Sequence, residues 1–536
     1  MIGRTEPGTR PWPSRSIHRS VMKLPDTDPN GFRGRFLREA AARTPFGAAS
    51  GILRLLPDAV AVPEDADDVA ALVRWAAETR TPLVPRGAGT GMPGGNVGGG
   101  VSVDLVSGFR GVEVDAAARR ARIQPGITLA ELNAAAAPHG LRFPVDPSSG
   151  ARATLGGLIA NNSAGSHSVR YGATRAWVES LELVLADGTR TATERGRAPE
   201  EPRLRAIVDR VRREILPHRA RIEAKWPRVR KNSSGYAIRE FLRSGDTVDL
   251  LVGSEGTLAL VTGAVVRLDP VPAAHGLAVL EFTELERAGE AVQTVLRHDP
   301  STCEILDRTF LDLVRDGGED PGYPLRPGLE AILLVEMERD SVAEVEAALA
   351  GLRAAVEGLA DRVVVSSDPA EQERLWHVRH AASPLIAAMA KGRVSMQFIE
   401  DGVVPVPRLP DYIRALRASL AGHGLQAVIF GHAGDGHLHV NPLVDVSAPG
   451  WQKRIEEMVY EIAEVVARLG GTMAGEHGDG RLRAPVLETV WGRETVGLFR
   501  RVKEAFDPAG ILNPGVILPL PGQRPLDAIG PYPLPA

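Results

Sequence analysis

The sequence predicts an α+β protein of several domains, and three observations support this fold class. Short apolar strands alternate with helices along the first half of the chain, and two β-α-β units recur after residue 276. The chain has 536 residues, a length that suggests about three domains at ~150 residues each. Strands separated by helices indicate crossover connections, which excludes all-helical and all-strand architectures.

The composition excludes several classes of protein. Apolar residues make up 43% and charged residues 24%, as in ordinary globular domains, and the formal charge of −4 does not favour nucleic acid as a partner. The single cysteine, Cys303, excludes an internal disulfide and a chain-borne iron–sulfur cluster, which needs about four thiolates. No apolar run reaches the ~18 residues of a membrane span. We therefore expect a cytoplasmic protein, with peripheral contact at the inner face of the membrane left open.

The N-terminal half is predicted to begin with a loose tail and to continue as short elements. Residues 1–31 carry Arg and Pro but no apolar stretch of the kind found in secretory signals. Helical spacing follows at 32–44 and 67–79. The predicted strands are 59–63, 82–85, 100–105, 121–124, 179–186 and 258–268.

The segment 203–231 is strongly basic, with eleven Lys and Arg residues against three acidic residues. Its apolar residues, among them Leu204, Ile207 and Val211, recur at helical spacing. One interpretation is an amphipathic helix whose charged face is solvated. The other is a patch that binds an anionic partner or the membrane surface.

The second half of the chain predicts a ferredoxin-like sheet. Its strands are expected at 276–282, 302–306, 330–337 and 362–366, with helices at 284–296 and 341–357 between them. Further helices are predicted at 408–422, 450–469 and 484–506, and the Pro-rich end, 521–536, is predicted to be a loose tail.

Residues 85–99 form a glycine-rich loop after a predicted strand. Glycine allows close approach to a ligand, and successive turned N–H groups suit a pyrophosphate, although a tight surface turn is the alternative. The loop is neither a Walker A loop nor a good Rossmann fingerprint, because it lacks Gly-Lys-Ser/Thr and opens no obvious helix. The segments 146–172 and 253–258 add small polar residues suited to a buried polar ligand.

Histidines cluster in two segments, 431–441 and 475–480. The first predicts a β-hairpin, in which His437, His439 and Asn441 alternate onto one face of the return strand. His432 lies across the turn, and Glu476 in the second segment is the natural carboxylate partner. This pattern is compatible with a metal site and also with a polar hairpin whose histidines are hydrogen-bonded.

Four separated segments together resemble a known family. The segments 85–95, 146–172, 253–258 and 506–515 are similar to those of the FAD-linked oxidase family, which shares its fold with vanillyl-alcohol oxidase, and in particular to its D-lactate and D-2-hydroxyglutarate dehydrogenase branch. The likeness covers roughly residues 35–520.

The resemblance implies a division of the chain and a cofactor. It implies a two-subdomain FAD-binding domain over 32–270, a substrate cap with the metal site over 271–483, and C-terminal helices over 484–520 that pack back near FAD. FAD is expected to be non-covalent, since 85–95 contains no His. The implied cofactor-binding residues are Pro85, Arg86, Gly87, Ala88, Gly89, Thr90, Gly91, Gly94, Pro147, Ser148, Gly156, Gly157, Asn161, Ser163, Gly165, Gly172, Glu255, Gly256 and Asn513.

The resemblance also implies roles in the histidine segments. His432, His439 and Glu476 would hold a divalent metal, zinc in first place, with iron or manganese as alternatives. His477 would be the catalytic base. The substrate contacts would come from Arg379, which also counts as catalytic, and from Ser383, Asn441 and His437.

Two departures from the family pattern bear on the substrate. His437 stands where relatives often carry Asn, so it could add a ligand or a contact to the substrate carboxylate. The segment 398–405 lacks the Lys of the 2-hydroxyglutarate-specific relatives, which puts the identity of the acid in doubt.

The function implied is oxidation of a D-2-hydroxy acid to the 2-oxo acid, with the hydride passing to flavin N5. The electrons would leave to a quinone, a flavoprotein or an iron–sulfur subunit rather than to NAD. One alternative is a transferase of the alkyl-glycerone-phosphate synthase type. Another is the FAD-binding subunit of a multi-chain glycolate or lactate oxidase complex.

Overall fold

The computed structural model describes the backbone of residues 24–316, 323–324, 326–388 and 393–531, and side chains over the same ranges except 316 and 380–388. The first 23 residues of the predicted N-terminal tail and residues 532–536 lie outside the described part. No helix within these ranges is both long and apolar enough to cross a membrane.

The first half contains a four-stranded sheet. Its strands, in spatial order, are Arg35–Leu37, Ala59–Val62, Val101–Asp104 and Leu83–Arg86, and the last three run parallel. Helix Ala66–Thr79 makes the crossover and begins where the Asp65 side chain accepts hydrogen bonds from the N–H groups of Asp67 and Asp68. The sheet places the glycine-rich loop directly after the strand Leu83–Arg86.

A five-stranded antiparallel sheet forms the other part of this half. Its spatial order is Val112–Asp115, Arg120–Ile123, Leu260–Arg267, Val178–Val184 and Arg190–Glu194. The strands Leu141–Arg142 and Asp269–Pro270 pair separately. The helices near these sheets are Ala40–Arg43, Leu129–Ala136, Leu155–Asn161, Ser168–Tyr171, Pro202–Ile215, Arg219–Lys225, Ile238–Ser244 and Thr247–Leu251.

The second half is built on an eight-stranded sheet. Its spatial order is Arg362–Ser366, Ala274–Phe282, Ala331–Arg339, Thr302–Asp307, Gln426–Gly431, His437–Val444 and Val394–Ser395, with Gly402–Val403 also paired to His437–Val444. The first four strands have the order 4-1-3-2, with helices Leu285–Leu296 and Val342–Ala355 as connections. This arrangement confirms the ferredoxin-like sheet. The predicted histidine hairpin extends that sheet at one edge.

The remaining helices surround this sheet and return to the first half. They are Arg308–Asp316, Pro369–Ala388, Leu409–Gly422, Trp451–Arg468, Gly480–Arg483, Leu487–Trp491 and Arg493–Phe506. The single helix predicted at 484–506 is wrong, because Gly492, with φ +77°, separates two helices. Trp491 and Phe499 are buried in the core of the five-stranded sheet.

The basic segment is helical over Pro202–Ile215 and Arg219–Lys225. Leu204, Ile207 and Val211 are buried in the core of the first half, as the helical spacing predicted. The charged face of this segment is therefore the solvated one.

The loose tail expected over 521–536 is wrong for its described part, 521–531. Leu526 and Ala528 are buried in the core of the second half. The N–H of Arg54 donates to the carbonyl oxygen of Ala528 at 2.7 Å, and the N–H of Gly530 donates to that of Ile52 at 3.1 Å. The few apolar residues between the prolines are enough to dock the segment, since their burial releases water from both surfaces.

Candidate active site

A cavity of about 790 Å³ lies where the two halves of the molecule meet. One part is lined by the glycine-rich loop and by residues of the segments 147–166 and 251–261. Another part is lined by side chains of the eight-stranded sheet and its neighbouring loops, including His432, His439 and Asn441. The cavity therefore joins a wall rich in backbone groups to a wall rich in ionisable side chains.

The glycine-rich loop needs its glycines for close packing. A Cβ on Gly87 would lie 2.5 Å from Thr154 Oγ1, and Gly89 has φ +79°. The Arg86 guanidinium holds the loop by donating to the carbonyl oxygens of Asn96 at 3.0 Å and Ala48 at 2.7 Å. The loop thus presents backbone to the cavity, which suits a ligand with a pyrophosphate.

Fifteen of the nineteen residues expected to bind the cofactor line this cavity, while Gly94, Gly165, Gly172 and Asn513 do not. The three glycines are required by the backbone conformation or by close packing. Gly94 and Gly172 have φ of +78° and +70°, and a Cβ on Gly165 would lie 2.3 Å from the carbonyl oxygen of Asp146. Asn513 donates to the carbonyl oxygens of Gly95 and Glu255 at 2.8 and 2.9 Å. These four residues shape the wall without lining it.

The histidine hairpin forms as the sequence predicted. Strands Gln426–Gly431 and His437–Val444 pair antiparallel with Phe430 opposite His439. His439 and Asn441 line the cavity, but His437 does not. The His437 ring is fully buried and packs beside Asp401, so its expected contact with substrate is not supported.

His432, His439 and Glu476, which we call the central cluster, bring three ligand atoms together. The Nε2 atoms of His432 and His439 are 3.3 Å apart, and they lie 3.2 and 3.3 Å from Glu476 Oε1. Atoms of this spacing surround a point at which one cation would contact all three. A ring nitrogen of His437 lies within 4.8 Å of the same atoms.

The outer nitrogen of each cluster imidazole is occupied. His432 Nδ1 is hydrogen-bonded to Glu304 Oε1, and His439 Nδ1 donates to the carbonyl oxygen of Glu400 at 3.0 Å. Such partners orient an imidazole so that Nε2 carries the lone pair. The two lone pairs therefore converge, and the donor set fits a divalent cation.

Glu476 is ionised in this setting. Burial alone would raise its pKa, but Lys231 and His432 lower the pKa well below the usual value. Lys231 Nζ lies 2.8 Å from Glu476 Oε2 and is itself buried. Lys231 therefore orients the outer oxygen and leaves Oε1 facing the imidazoles.

His477 lies next to the central cluster and lines the cavity. Its Nδ1 is 2.8 Å from Glu400 Oε2, and its ring stacks on that of His439 with 5.5 Å between centroids. Burial opposes the charged imidazole, but Glu400 and Asp401 outweigh it and raise the pKa of His477 to about 9. Because Nδ1 is hydrogen-bonded to Glu400, Nε2 is the ring nitrogen that can exchange a proton with a ligand in the cavity.

Arg379 reaches the same end of the cavity from helix Pro369–Ala388. The residue is only 6% exposed, which excludes the surface position that a helix arginine usually takes. Its Nε donates to Glu304 Oε2 at 3.0 Å, so one carboxylate supports both Arg379 and His432. Ser383 lies in the same helix, but its side chain is outside the described residues.

Several residues that sequence reasoning missed complete this end of the site. Glu304 and Lys231 come from distant segments without a motif. Arg483 donates to Asp401 Oδ2 at 2.9 Å and is also paired with Glu400, so it neutralises the Glu-Asp pair behind His477. The only available signal was that pair of adjacent acidic residues in an apolar stretch.

A second group of histidines and glutamates lies where the first half meets the eight-stranded sheet. This interface cluster consists of His167, His275, Glu336 and Glu338. His167 Nε2 and His275 Nδ1 lie 3.4 and 3.0 Å from Glu336 Oε1. His167 Nδ1 lies 2.6 Å from Asp146 Oδ2.

Cationic and hydroxyl groups already surround the interface cluster. Arg142 and Tyr171 donate to Glu338 at 2.8 and 2.6 Å. Burial opposes protonation of His167, but Asp146 and Glu336 raise its pKa to about 11. His167 is therefore an imidazolium, and the cluster is a network of ion pairs.

Comparison with known protein families identifies a family for each half of the chain. The FAD binding domain family matches residues 57–194, and the family of FAD linked oxidases, C-terminal domain, matches residues 271–517. A solved structure, 4-ethylphenol oxidase from Gulosibacter chungangensis, superposes with a TM-score of 0.66 at 17% identity over 90% of this chain and 94% of that chain. That likeness confirms the fold of the vanillyl-alcohol oxidase type.

Curated relatives support the same assignment. The chain is 32% identical to D-lactate dehydrogenase of Archaeoglobus fulgidus over 86% of this chain and 91% of that protein. It is 30% identical to the glycolate oxidase subunit GlcD of Bacillus subtilis over 86% of this chain and 88% of that protein. It is 31% identical to D-2-hydroxyglutarate dehydrogenase of Pantoea ananatis over 94% of this chain, but it spans only 52% of that relative's length. The chain therefore belongs to the FAD-linked oxidase family and is an FAD-binding oxidoreductase.

Proposed function

We propose that this protein oxidises a D-2-hydroxy acid of the D-lactate or D-2-hydroxyglutarate class to the 2-oxo acid. The observation that carries the proposal is the meeting of His477, Arg379 and the central cluster in one part of the FAD cavity. These groups match the three needs of the substrate, which are a proton acceptor, a carboxylate partner and a site for the hydroxyl oxygen. The names of the curated relatives support this substrate class.

FAD would supply the redox chemistry as the acceptor of a hydride from the substrate. The glycine-rich loop and the segments beside it would hold the cofactor. Residues 85–95 contain no histidine that could form a covalent bond to the flavin, so we propose non-covalent binding. The side chains at the substrate end of the cavity, Arg379, His477 and the central cluster, would fix the carboxylate and the hydroxyl of the substrate.

The central cluster is proposed to hold a divalent cation, with zinc ahead of iron and manganese. Two imidazoles and one carboxylate that leave a position open are typical of catalytic zinc sites. A cation at this point supplies a Lewis acid that lowers the pKa of the substrate hydroxyl. His432, His439 and Glu476 would be its ligands, and Glu304, Lys231 and the Glu400 carbonyl would orient them.

His477 is proposed to take the hydroxyl proton at Nε2. Glu400 holds Nδ1, so the ring cannot turn away from the cavity. Because its pKa of about 9 favours the imidazolium at neutral pH, His477 acts as a base in its neutral form, which a cation at the central cluster would favour by lowering that pKa. The imidazolium formed would be stabilised by Glu400 and Asp401.

Arg379 is proposed to bind the substrate carboxylate. Its Nε is engaged by Glu304, which leaves the two terminal nitrogens of a planar guanidinium for two carboxylate oxygens. Asn441 lines the same region and can contact the acid with its amide. Electrons would leave to an external quinone, flavoprotein or iron–sulfur subunit.

Anaerobic flavin bleaching tests the function. The FAD-loaded protein is mixed with D-lactate, D-2-hydroxyglutarate and glycolate, and with the L-enantiomers of the first two acids. We expect the visible flavin absorbance to fall with a D-acid and not with its L-enantiomer, and the reaction to stop after chelation and to return with zinc. No bleaching with any acid contradicts the proposal.

A second candidate is the FAD-binding subunit of a glycolate oxidase complex, favoured by the match to nearly the whole Bacillus subtilis subunit. Bleaching by glycolate with steady turnover only when a co-purified chain is present would support it. The transferase alternative rests on a shared fold alone, since alkyldihydroxyacetonephosphate synthase superposes at 17% identity with a TM-score of 0.60.

A further inference from the structure

A second cavity, of about 490 Å³, lies at the end of the basic segment. It is lined by the loop 226–232, which follows helix Arg219–Lys225, and by side chains from neighbouring elements. Lys231 belongs to this lining and also contacts Glu476 of the central cluster. None of the residues assigned to FAD or to the substrate lines this second cavity.

The charge on the wall of this cavity is strongly positive. Two of the lining residues are carboxylates, Glu240 and Asp249, and each is already paired, with Arg239 and Arg195 at 2.8 and 2.7 Å. Six are cations, namely Arg175, Arg195, Arg230, Lys231, Arg239 and Arg267. The lining therefore keeps an excess of positive charge after its own pairs are formed.

Two of these cations have no carboxylate partner in the described part of the chain. Arg175 donates from Nη2 to the carbonyl oxygen of Val252 at 2.7 Å, and its buried Nε has no hydrogen-bond partner among the described residues. Arg267 donates to the carbonyl oxygen of Ala176 at 2.6 Å. Neither guanidinium lies within 4.0 Å of a described carboxylate, whereas the other four lining cations do.

Burial makes the positive charge of Arg175 costly without a ligand. Burial lowers its pKa, and while Glu240 and Asp249 oppose this, Arg195 and Arg239 add to it. An arginine keeps its proton in proteins, so Arg175 stays charged at an unfavourable electrostatic energy. An anion in the cavity would lower that energy.

We propose that this cavity binds a small oxyanion, a phosphate or a carboxylate group carried by a small molecule. Planar guanidinium groups bind both kinds of oxyanion through paired N–H donors. The volume lies in the range of small-molecule sites, roughly 300–1,000 Å³. Arg230 and Lys231 of the basic segment line this cavity, whereas the apolar residues Leu204, Ile207 and Val211 of that segment are buried in the core and cannot insert into a membrane surface.

Titration calorimetry on the FAD-loaded full chain tests this inference. The probes are inorganic phosphate and citrate, each in chloride buffer at constant ionic strength. We expect saturable binding of at least one probe with one site per chain. Binding of phosphate alone, citrate alone or both supports the site and identifies which oxyanion it prefers.

Two variants locate the binding. Arg267→Gln removes an exposed guanidinium from the rim, and Arg175→Gln removes the partly buried one. Each should weaken binding about tenfold or more, which corresponds to about 1.4 kcal/mol. Arg213→Gln is the matched control, since Arg213 is an exposed cation of the basic helix that does not line the cavity. The flavin spectrum and melting temperature check that each variant is folded.

The inference is overturned if neither probe binds, or if Arg267→Gln binds the probe as tightly as the unchanged protein. The second result would place the anion elsewhere, for example at Arg379 in the FAD cavity. Because Arg267 is exposed and contacts one backbone oxygen and the Trp177 ring, this variant remains informative even if Arg175→Gln does not fold.

Discussion

The central cluster and the interface cluster are built from the same residue types but have opposite electrostatic needs. In the central cluster, the Nε2 atoms of His432 and His439 face each other and one carboxylate oxygen. In the interface cluster, the nearest neighbours of both His167 nitrogens are carboxylates, Asp146 and Glu336. In the central cluster the imidazole lone pairs converge on one point, whereas in the interface cluster the protonated His167 forms ion pairs with the carboxylates around it.

The difference arises from the residues behind each imidazole. Glu304 and the Glu400 carbonyl occupy the Nδ1 atoms of the central cluster, so both rings present a lone pair. The interface cluster also receives Arg142, which pairs with Glu338 and supplies positive charge. The number of His and Glu residues in a cluster therefore does not identify a metal site, because the orientation of the ring nitrogens decides it.

The largest effect is expected from Glu476→Gln. The variant removes the carboxylate of the central cluster and its charge pair with Lys231, which keeps Asp435 at 3.7 Å. We expect metal content to fall from about one ion per chain to background and flavin reduction by substrate to slow by about 10³-fold or more, because the Lewis acid is lost. Elemental analysis and anaerobic stopped-flow absorbance measure the two effects.

The matched variant for this prediction is Glu336→Gln in the interface cluster. It should retain full metal content and a rate within about twofold of the unchanged protein. Loss of metal from Glu336→Gln, or its retention in Glu476→Gln, would reverse the contrast between the two clusters.

The next effect in size is expected from His477→Asn. Loss of the base should slow flavin reduction by about 10²–10³-fold while FAD and metal remain bound. His139→Asn, at an exposed position, is the control for the loss of an imidazole. Fast reduction in His477→Asn would assign the proton transfer to another group.

A smaller effect is expected from Arg379→Lys. Lysine retains the charge but not the planar fork, so substrate KM should rise by about 10- to 100-fold, with a smaller change in kcat. Steady-state kinetics with an artificial acceptor measure both constants. Arg417→Lys, on the exposed side of helix Leu409–Gly422, is the control. A change in kcat alone would show that Arg379 acts through Glu304 and His432 rather than on the substrate.

The smallest effect, and one on stability alone, is expected from His167→Gln. The folded-state pKa of His167 is raised to about 11, so its stabilisation is complete below the unfolded pKa of ~6.5 and is lost as the pH rises through the folded value. We expect the variant to be less stable by about 1–3 kcal/mol at pH 6, with a difference that shrinks towards pH 10. Thermal unfolding followed by flavin fluorescence measures it, and a difference that is constant with pH would contradict the ionised state.

The local parts of the site could be predicted from sequence because their residues lie close together along the chain. The hairpin places His439 and Asn441 two residues apart on one face, and alternation along a strand requires no tertiary information. The glycine-rich loop was equally readable from its residue types, and Gly87 is required there because a Cβ would lie 2.5 Å from Thr154 Oγ1.

Other predictions failed where local pattern and tertiary packing disagree. His437 has the same alternation as His439, yet it packs beside Asp401 away from the cavity. The segment 521–531 is rich in proline and lacks periodicity, yet it docks through Leu526 and Ala528 onto the core of the second half.

The sequence by itself determined the strand and loop that carry each candidate ligand and the ferredoxin-like sheet, because these depend on spacing and residue type over a few tens of residues. The cofactor domain was identified from the resemblance of four separated segments to a known family. Only the tertiary structure decided which charges meet. Glu304, Lys231 and Glu400 come from strands and loops far apart in the chain, and they set the ring orientations and ionisation of the central cluster. Electrostatic interactions depend on distance in space and on burial, and neither is encoded in any short run of residues.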